Sequence, residues 1–289
     1  MKMMHPTKTL PTVALIYDFD GTLSPGNMQD FGFIQATGKD IGAFWATCER
    51  IGQEQDASGI LTYMKVMIDE ARKANIRLQR ETFRHFGRQV ALFNGVREWF
   101  ALMNDYGRSK GVVIEHYINS SGLKEMIEGT PIAQEFKKIY ACSFYYENGE
   151  AVFPAVAVDF TTKTQFLFKI NKGIDSVSDN KVVNRYTPQD ERPIPFARMI
   201  YFGDGETDIP CMKLVKQQGG YSIAVYEPHN DKKKIRARQL IAEDRVNFVC
   251  PADYTRESEI YRVVTTIISK MKSDAEFEAL ELLHRTYEL

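Results

Sequence analysis

The sequence predicts an α/β fold, in which helices flank a mainly parallel β-sheet and a separate helical segment is inserted between its strands. Three observations support this prediction. Short segments with strand character at residues 13–17, 112–118 and 199–202, apolar apart from Glu115 and His116, each end in a polar loop, which is typical of buried parallel strands. Residues 24–108 repeat apolar side chains at helical spacing and contain no strong strand. The 289 residues of the chain are enough for about two domains.

The N-terminal elements define the expected domains. The first strand, 13–17, is apolar throughout and leads into an acidic loop, and the helical segment 24–108 follows it. We therefore expect residues 1–23 and 109–289 to form the core that contains the sheet. Residues 24–108 are expected to form a small all-α domain.

A β-hairpin is predicted after the strand 112–118. The runs 139–146 and 151–158 are rich in β-branched and aromatic residues, and they flank Asn148 and Gly149. An Asn-Gly pair between two such runs is the strongest short signal for a hairpin. We expect this hairpin to interrupt the sheet as a small elaboration of the core.

The C-terminal half supplies the remaining elements. Hydrophobic spacing predicts a helix over 164–172, strands over 199–202, 221–226 and 248–250, and a last helix over 256–271 followed by a charged tail. The polar stretch 175–195 has no pattern that assigns it to a helix or a strand.

Composition and charge exclude several classes of protein. Apolar residues make up 44% of the chain and charged residues 26%, as in an ordinary globular protein. A formal net charge of -1 gives no field that would attract nucleic acid or anionic lipid. No apolar run approaches the roughly 18 residues of a membrane helix, and the first residues lack the apolar stretch of a signal peptide. We therefore expect a cytoplasmic protein with a small-molecule partner and no nucleic-acid or membrane partner, whose oligomeric state is left open.

The cysteines indicate neither a disulfide framework nor a zinc site. They stand far apart and form no CxxC pair: Cys48, Cys142, Cys211 and Cys250. We expect reduced, structural thiols. Cys211 lies close to an acidic loop, where its oxidation could modulate a site, but ordinary helix packing is the favoured interpretation.

Acidic and hydroxyl side chains follow three of the predicted strands. Asp18 and Asp20 come after the first strand, Ser120 after the second, and Asp204 after the strand 199–202. Because the carboxyl ends of parallel strands meet at one edge of a sheet, we expect these groups to converge. Two carboxylates separated by one residue can share a metal ion while one attacks and the other moves a proton. Two aspartates that merely cap a turn are the alternative, which the distant acidic loop disfavours.

Four motifs in this order resemble those of the haloacid dehalogenase superfamily: DFDGTL at 18–23, Ser120, Lys163 and GDGETD at 203–208. Their spacing is similar to that of the phosphoserine phosphatase branch. The resemblance implies a Rossmann-like core, a helical cap formed by 24–108 that closes over the substrate, and Mg²⁺ as cofactor. It also implies a phosphatase that hydrolyses a small soluble phosphomonoester through a covalent aspartyl-phosphate.

The resemblance also implies roles for the acidic residues. Asp18 is the expected nucleophile, and Asp20 would protonate the leaving alcohol and then deprotonate the attacking water. Mg²⁺ is expected to bind the Asp18 carboxylate, the Asp20 backbone carbonyl and the Asp204 carboxylate. Asp208 would not bind the ion itself but would orient a metal-bound water or Lys163.

The phosphate group is expected to meet hydrogen-bond donors and a second cation. The Ser120 hydroxyl and the amides of Ser121 and Gly122 would donate to phosphate oxygens, and Lys163 would neutralise charge. Ser121 is the alternative hydroxyl donor, and Ser120 is favoured because it is the first residue past the apolar run.

Three lysines compete for the role of the second cation. Lys163, Lys169 and Lys172 lie in one segment, and a lysine on a helix usually faces solvent. Lys163 is favoured because it is predicted to precede the helix, where a loop can turn its side chain into the site.

Substrate specificity is expected in the helical segment. Phosphoserine phosphatases carry an acidic residue about nine positions after the nucleophile, whereas Asn27 occupies this place and Asp30 is the nearest carboxylate. Phosphoserine is therefore disfavoured as the substrate. We interpret Trp45 and Tyr63 as core residues of the helical segment rather than an aromatic cage, and residues 232–234 as a solvated lysine loop.

Other functions remain open at this point. A phosphotransferase or mutase would use the same residues and pass the phosphoryl group to a second alcohol. A non-catalytic phosphate-binding module could keep the fold without turnover. A dehalogenase needs neither magnesium nor an acid for an alcohol leaving group, so Asp20 and Asp204 disfavour it.

Overall fold

The computed structural model describes residues 10–188 and 191–287. These residues form seven strands: β1 (Thr12–Tyr17), β2 (Val113–Leu123), β3 (Lys138–Glu147), β4 (Glu150–Val156), β5 (Met199–Gly203), β6 (Tyr221–Tyr226) and β7 (Phe248–Pro251). They lie in one sheet in the order β4-β3-β2-β1-β5-β6-β7. All neighbouring strands are parallel except β3 and β4. The predicted α/β fold with a mainly parallel sheet is confirmed.

The central strand β1 brings the motif strands together. Its residues from Val13 to Tyr17 are at most 1% exposed, because neighbouring strands and helices cover both edges and both faces. Tyr17 pairs with Ile118 of β2 on one side and with Phe202 of β5 on the other. The residues that follow these three positions therefore emerge side by side at one edge of the sheet.

Strand β2 is longer than the sequence indicated. The apolar run was expected to end at residue 118, but the strand continues to Leu123. Its pairing with β3 joins Ser120 to Ala141 and Leu123 to Cys142, with an irregularity between the two pairs. This bulge turns the serine-rich stretch towards the edge of the sheet without ending the strand.

The predicted hairpin forms β3 and β4, but it does not interrupt the sheet. The first half of β3 pairs in parallel with β2, and its second half pairs with β4 in antiparallel fashion. Asn148 and Gly149 form the turn with φ values of 49° and 81°, as a tight hairpin requires. Strand β4 thus extends the sheet at its edge.

Five helices lie between β1 and β2: α1 (Phe33–Ala36), α2 (Ile41–Gln55), α3 (Gly59–Lys73), α4 (Arg80–Gly87) and α5 (Val96–Lys110). Asp40 begins α2 by accepting a hydrogen bond from the Ala43 amide at 2.9 Å. Helices α2 and α3 pack against each other, while α5 packs against β2. The exact limits of the helical domain stay a prediction.

A chain of hydrogen bonds fixes α5 to the sheet. Trp99 Nε1 donates to the Tyr17 hydroxyl at 2.9 Å, and this hydroxyl lies 3.1 Å from His116 Nδ1. His116 Nε2 lies 3.2 Å from Asn104 Oδ1. A neutral imidazole with its proton on Nε2 fits both contacts, because Nδ1 then accepts from the Tyr17 hydroxyl and Nε2 donates to Asn104 Oδ1.

We expect acid to destabilise the protein through His116. Burial lowers the pKa of His116 to about 3, from 6.5 in an exposed imidazole. Below pH 6.5 the unfolded chain therefore binds a proton that the folded chain does not, and stability falls as the pH falls. Between pH 7.5 and pH 5.5 this group alone should lower the free energy of unfolding by about 1.4 kcal/mol.

Comparison with His116→Gln isolates this contribution, because all other titrating groups are shared. Urea unfolding of both proteins at the two pH values is the measurement. The parent should lose about 1.4 kcal/mol more than the variant. Equal losses would show that His116 does not stay neutral in the fold.

Six further α-helices follow β2 in the described residues: α6 (Lys124–Ile127), α7 (Phe160–Lys172), α8 (Asn180–Asn184), α9 (Ile209–Gln217), α10 (Asp231–Ala242) and α11 (Glu259–Tyr287). The predicted charged tail is the continuation of α11. No helix in the described ranges combines the length and apolar character needed to cross a membrane.

The unassigned stretch 175–195 contains α8 and is held by two lysines of α7; its residues 189 and 190 lie outside the described part of the chain. Lys169 Nζ donates to the carbonyls of Ser176 at 2.8 Å and Val177 at 3.1 Å. Lys172 Nζ donates to two carbonyls at the end of α8, both at 2.6 Å. Both lysines thus bind backbone at the C-terminal end of α7.

Candidate active site

Three carboxylates meet where β1 and β5 end. Asp18, Asp204 and Asp208 each offer one oxygen, and these oxygens all lie within 4.8 Å of one another. Asp18 and Asp208 are buried. The Asp20 carboxylate is not part of this trio. Its backbone carbonyl as a metal ligand stays a prediction.

Lys163 forms ion pairs with two members of the carboxylate trio. Its side chain is completely buried, and its Nζ lies 3.2 Å from Asp18 Oδ1 and 2.7 Å from Asp208 Oδ1. Burial alone would lower the pKa of Lys163, but the two carboxylates outweigh it and raise the pKa above its ordinary value. Lys163 is therefore a permanent cation.

The prediction that Lys163 precedes its helix is wrong. Helix α7 begins at Phe160 with Asp159 as its N-cap, so Lys163 lies inside the helix. The Asp159 amide donates to Thr162 Oγ1 at 2.7 Å, which stabilises this early start. Lys163 reaches the site from the first turn of α7, whose N-terminus points towards the carboxyl edge of the sheet.

Both carboxylate oxygens of Asp208 accept hydrogen bonds from other residues of the chain. Its Oδ1 accepts hydrogen bonds from Lys163 Nζ and from the Tyr201 hydroxyl at 2.8 Å. Its Oδ2 accepts from the Gly205 amide at 3.2 Å. Both oxygens are thus engaged, and Asp208 holds Lys163 in place.

The trio carries more negative charge than Lys163 can balance. Burial, and then the Asp208 carboxylate, raise the pKa of Asp18 to about 6, against the opposing effect of Lys163. Burial and the Asp18 carboxylate raise the pKa of Asp204 to about 8. Asp18 Oδ1 is buried and is paired with Lys163 Nζ at 3.2 Å. A divalent cation would relieve the repulsion that remains among the three carboxylates.

Gly21 allows Asp204 to approach the loop after β1. Its φ of +77° lies in the left-handed region, and a Cβ at this position would overlap Asp204 Oδ2. Only glycine fits between the two acidic motifs. The glycine of DFDGTL is thereby explained by the closeness of Asp204 to the turn.

Asp20 has the environment of a protonated acid. Burial, followed by repulsion from Asp18, raises its pKa well above the ordinary value. Its Oδ1 accepts a hydrogen bond from the Met28 amide at 3.0 Å. A Cβ on Gly122 would lie 3.1 Å from its Oδ2, so this oxygen faces the serine-rich stretch.

The stretch of Ser120, Ser121 and Gly122 lines the same cavity as Asp18. Ser120 is completely buried, and its hydroxyl oxygen accepts a hydrogen bond from the Gly122 amide at 3.0 Å. This amide, predicted to face phosphate, is therefore engaged within the loop. Ser121 Oγ is buried and has no partner. The choice of Ser120 over Ser121 as the hydroxyl donor stays a prediction.

A cavity of about 390 Å³ lies between this edge of the sheet and the helical segment. Residues from the helical segment supply one wall: Asn27, Gln29, Asp30, Trp45, Ile60 and Tyr63. Tyr63 is buried in the core and Trp45 packs against it, as interpreted, and both residues also line the cavity. Periodicity shows which face of a helix is apolar, but not whether that face meets a core or a cavity.

Lys233, which the sequence predicts in a solvated loop, lies in α10 and lines the cavity. Its Nζ lies 3.3 Å from Glu227 Oε2. Cys211 is completely buried, and burial raises the pKa of its thiol to about 12. Asn119 Nδ2 donates to its sulfur at 3.7 Å, which agrees with packing.

Comparison with known proteins identifies the family. The model of the haloacid dehalogenase-like hydrolases matches residues 15–213, which include all of the motifs described above. The chain therefore belongs to the haloacid dehalogenase-like hydrolase family. The resemblance inferred from the motifs is confirmed.

An uncharacterized protein of Borreliella burgdorferi is 28% identical over 277 aligned positions, and the match covers 86% of this chain and 94% of that protein. Among solved structures, a HAD family hydrolase of Salmonella enterica serovar Typhi has a TM-score of 0.56 at 12% identity, covering 89% of this chain and 72% of its own. A probable phosphoserine phosphatase of Vibrio cholerae has a TM-score of 0.56 at 13% identity, with coverages of 94% and 69%. These similarities show a shared fold.

Proposed function

We propose that the protein is a Mg²⁺-dependent phosphatase that hydrolyses a small phosphomonoester through an aspartyl-phosphate on Asp18. The observation that carries this proposal is that Lys163 pairs with both Asp18 and Asp208, while Asp18, Asp204 and Ser120 line one cavity. Membership in a hydrolase family supports it. A cytoplasmic location and the lack of nucleic-acid or membrane partners stay predictions from the sequence.

The donor set fits magnesium. Asp18 and Asp204 offer hard carboxylate oxygens within 4.8 Å of each other, and no cysteine or histidine belongs to the described carboxylate trio. These two residues would hold the ion, with the Asp20 carbonyl as a proposed third ligand. When bound, Mg²⁺ supplies positive charge that lowers the repulsion between a phosphate dianion and the nucleophile.

The chain's own residues account for the first half of the reaction. An Asp18 oxygen attacks phosphorus, and the bond between phosphorus and the leaving oxygen breaks as the bond to Asp18 forms. Asp20, protonated because burial raises its pKa, gives its proton to the leaving alcohol. Lys163 and a serine hydroxyl stabilise the charge on the phosphoryl oxygens.

The second half regenerates the enzyme. Asp20, now a carboxylate, takes a proton from water as the water oxygen attacks phosphorus. The bond between phosphorus and Asp18 breaks, inorganic phosphate leaves, and the Asp18 carboxylate and protonated Asp20 are restored. One residue thus serves as acid and then as base.

Removal of divalent ions tests the proposal. Phosphate release from p-nitrophenyl phosphate should fall by about 100-fold or more in EDTA and return when Mg²⁺ is added in excess, because the ion balances the carboxylate trio. Activity that is indifferent to chelation would contradict the metal assignment. Transfer to added alcohols in place of phosphate release would favour a phosphotransferase, and Mg²⁺-dependent phosphate binding without turnover would favour a binding module.

Gly21→Ala is expected to weaken activation by Mg²⁺, and Gly38→Ala provides its matched control. Both glycines have φ close to +76°, but a Cβ on Gly38 meets nothing within 4 Å, whereas one on Gly21 would displace Asp204. Each variant should lose about 1 kcal/mol of stability from its backbone conformation.

Only Gly21→Ala should also lower kcat/KM, by about 100-fold, since small displacements of a ligand are costly. Thermal unfolding and steady-state kinetics at several Mg²⁺ concentrations check this expectation. If both variants keep the same kinetics, the close approach of Asp204 to the turn is not required for activity.

A further inference from the structure

The cavity wall opposite the phosphate site carries an aromatic pair and a carboxylate. The ring centroids of Trp45 and Tyr63 are 6.1 Å apart, with an angle of 61° between the ring planes. Trp45 Nε1 donates to Asp30 Oδ1 at 2.8 Å, which places the carboxylate beside the indole. The Tyr63 hydroxyl donates to the Ser121 carbonyl at 2.8 Å. This bond fixes the wall to the phosphate-binding side.

Gln29 is a buried polar residue that lines the same cavity. The residue is only 2% exposed, and its Oε1 has no hydrogen-bond partner. A buried carbonyl oxygen without a donor is costly, so the position favours a ligand that brings a donor. The wall thus offers acceptors and aromatic faces together.

The charges of the cavity wall also restrict the kind of ligand that it can bind. The described lining residues from the helical segment include Asp30 but no lysine or arginine. On the opposite side, Lys233 is paired with Glu227. A leaving group with a negative charge would therefore face a carboxylate and find no cation on this wall.

We propose that the substrate is the phosphate ester of an alcohol that carries an ammonium group, bound by Asp30 and by the rings of Trp45 and Tyr63. This inference rests on the proposed phosphatase function. Aromatic faces attract organic cations, tryptophan most strongly, and the Asp30 carboxylate supplies the opposite charge. Gln29 Oε1 can accept a hydrogen bond from an N–H of the same group. The wall has no cation for a carboxylate, so an amino alcohol fits better than an amino acid.

Pairs of substrates that differ only in charge test this inference. Phosphoethanolamine is compared with propyl phosphate, and phosphocholine with 3,3-dimethylbutyl phosphate, because each neutral ester replaces the cationic group by a carbon group of the same shape. In at least one pair the cationic ester should have a kcat/KM about tenfold higher or more. Ratios near one in both pairs would overturn the inference.

Two variants of the wall then localise the effect. Asp30→Asn keeps the size of the side chain, and Trp45→Leu removes the aromatic face. Each should lower kcat/KM for the favoured cationic ester by at least about tenfold more than for its neutral partner. Asp69→Asn is the control, because Asp69 forms an exposed pair with Lys65 on α3. Equal losses for both esters of a pair would overturn the inference.

Two further substrates separate the inference from the proposed function. p-Nitrophenyl phosphate reports the phosphatase activity itself, so the absence of Mg²⁺-dependent turnover of every ester would overturn the function. Turnover of this ester without any preference for ammonium would overturn only the inference. O-Phosphoserine adds a carboxylate to phosphoethanolamine, and a kcat/KM more than tenfold higher for O-phosphoserine would also contradict the inference.

Discussion

Asp18→Asn is expected to lower kcat for p-nitrophenyl phosphate by about four orders of magnitude or more. The amide has the shape of the carboxylate but cannot provide the nucleophilic oxygen that forms the covalent aspartyl-phosphate. Its carbonyl oxygen can still face a cation, so the fold and Mg²⁺-dependent binding of inorganic phosphate should be retained. Steady-state kinetics measures kcat, thermal unfolding reports on the fold, and isothermal titration calorimetry measures the binding of phosphate.

Asp69→Asn makes the same chemical change at an exposed position of α3 and should keep the parent activity. If Asp18→Asn retained more than about a tenth of that activity, its loss would be far below that of a missing nucleophile. Asp18 would then be a ligand or a structural group, and another residue or a water molecule would attack phosphorus.

Lys163→Met is expected to remove both activity and much of the stability. The substitution leaves the buried carboxylates of Asp18 and Asp208 without their cation, and breaking a buried pair in this way costs about 3–5 kcal/mol. Activity should fall by at least about 100-fold, because the charge beside the phosphoryl group is lost. Urea unfolding and steady-state kinetics measure the two effects.

Lys169→Met provides the control on the same helix. Lys169 is equally buried, but it donates to backbone carbonyls and touches no carboxylate of the trio. This variant should lose stability and stay within about twofold of the parent kcat/KM, since an unsatisfied carbonyl acts on folding alone. The double variant Lys163→Met, Asp208→Asn should recover part of the lost stability, because one of the uncompensated charges is gone. Full activity in Lys163→Met would contradict the role of Lys163.

The sequence predicted that acidic side chains meet at this edge of the sheet because its strands are buried on both faces. Such strands are continuous apolar runs, so Asp18 and Asp204 stand out at the points where the runs end. The topology then brings the ends together, since β1 lies between β2 and β5. This inference needs only the order of apolar and polar residues, and that order is visible without a structure.

Other features depend on contacts that no local pattern contains. Helix α7 starts earlier than predicted, because residues 160–162 are aromatic or β-branched and the helix start depends on the contact of Asp159 with Thr162. Strand β2 runs through its serines because β3 pairs with it, which is a long-range contact. Trp45 has the spacing of a core residue, and only the position of the opposite wall shows that it lines a cavity.

The central claim is that Asp18, Asp204 and Lys163 surround one phosphoryl group and one divalent cation. A crystal structure of the protein with Mg²⁺ and beryllium fluoride, which mimics a phosphoryl group on a carboxylate, tests it most directly. The account predicts beryllium fluoride on an Asp18 oxygen, Mg²⁺ between Asp18 and Asp204, and Lys163 Nζ in contact with a fluoride. Beryllium fluoride on another residue, or Mg²⁺ bound away from these two carboxylates, would contradict it.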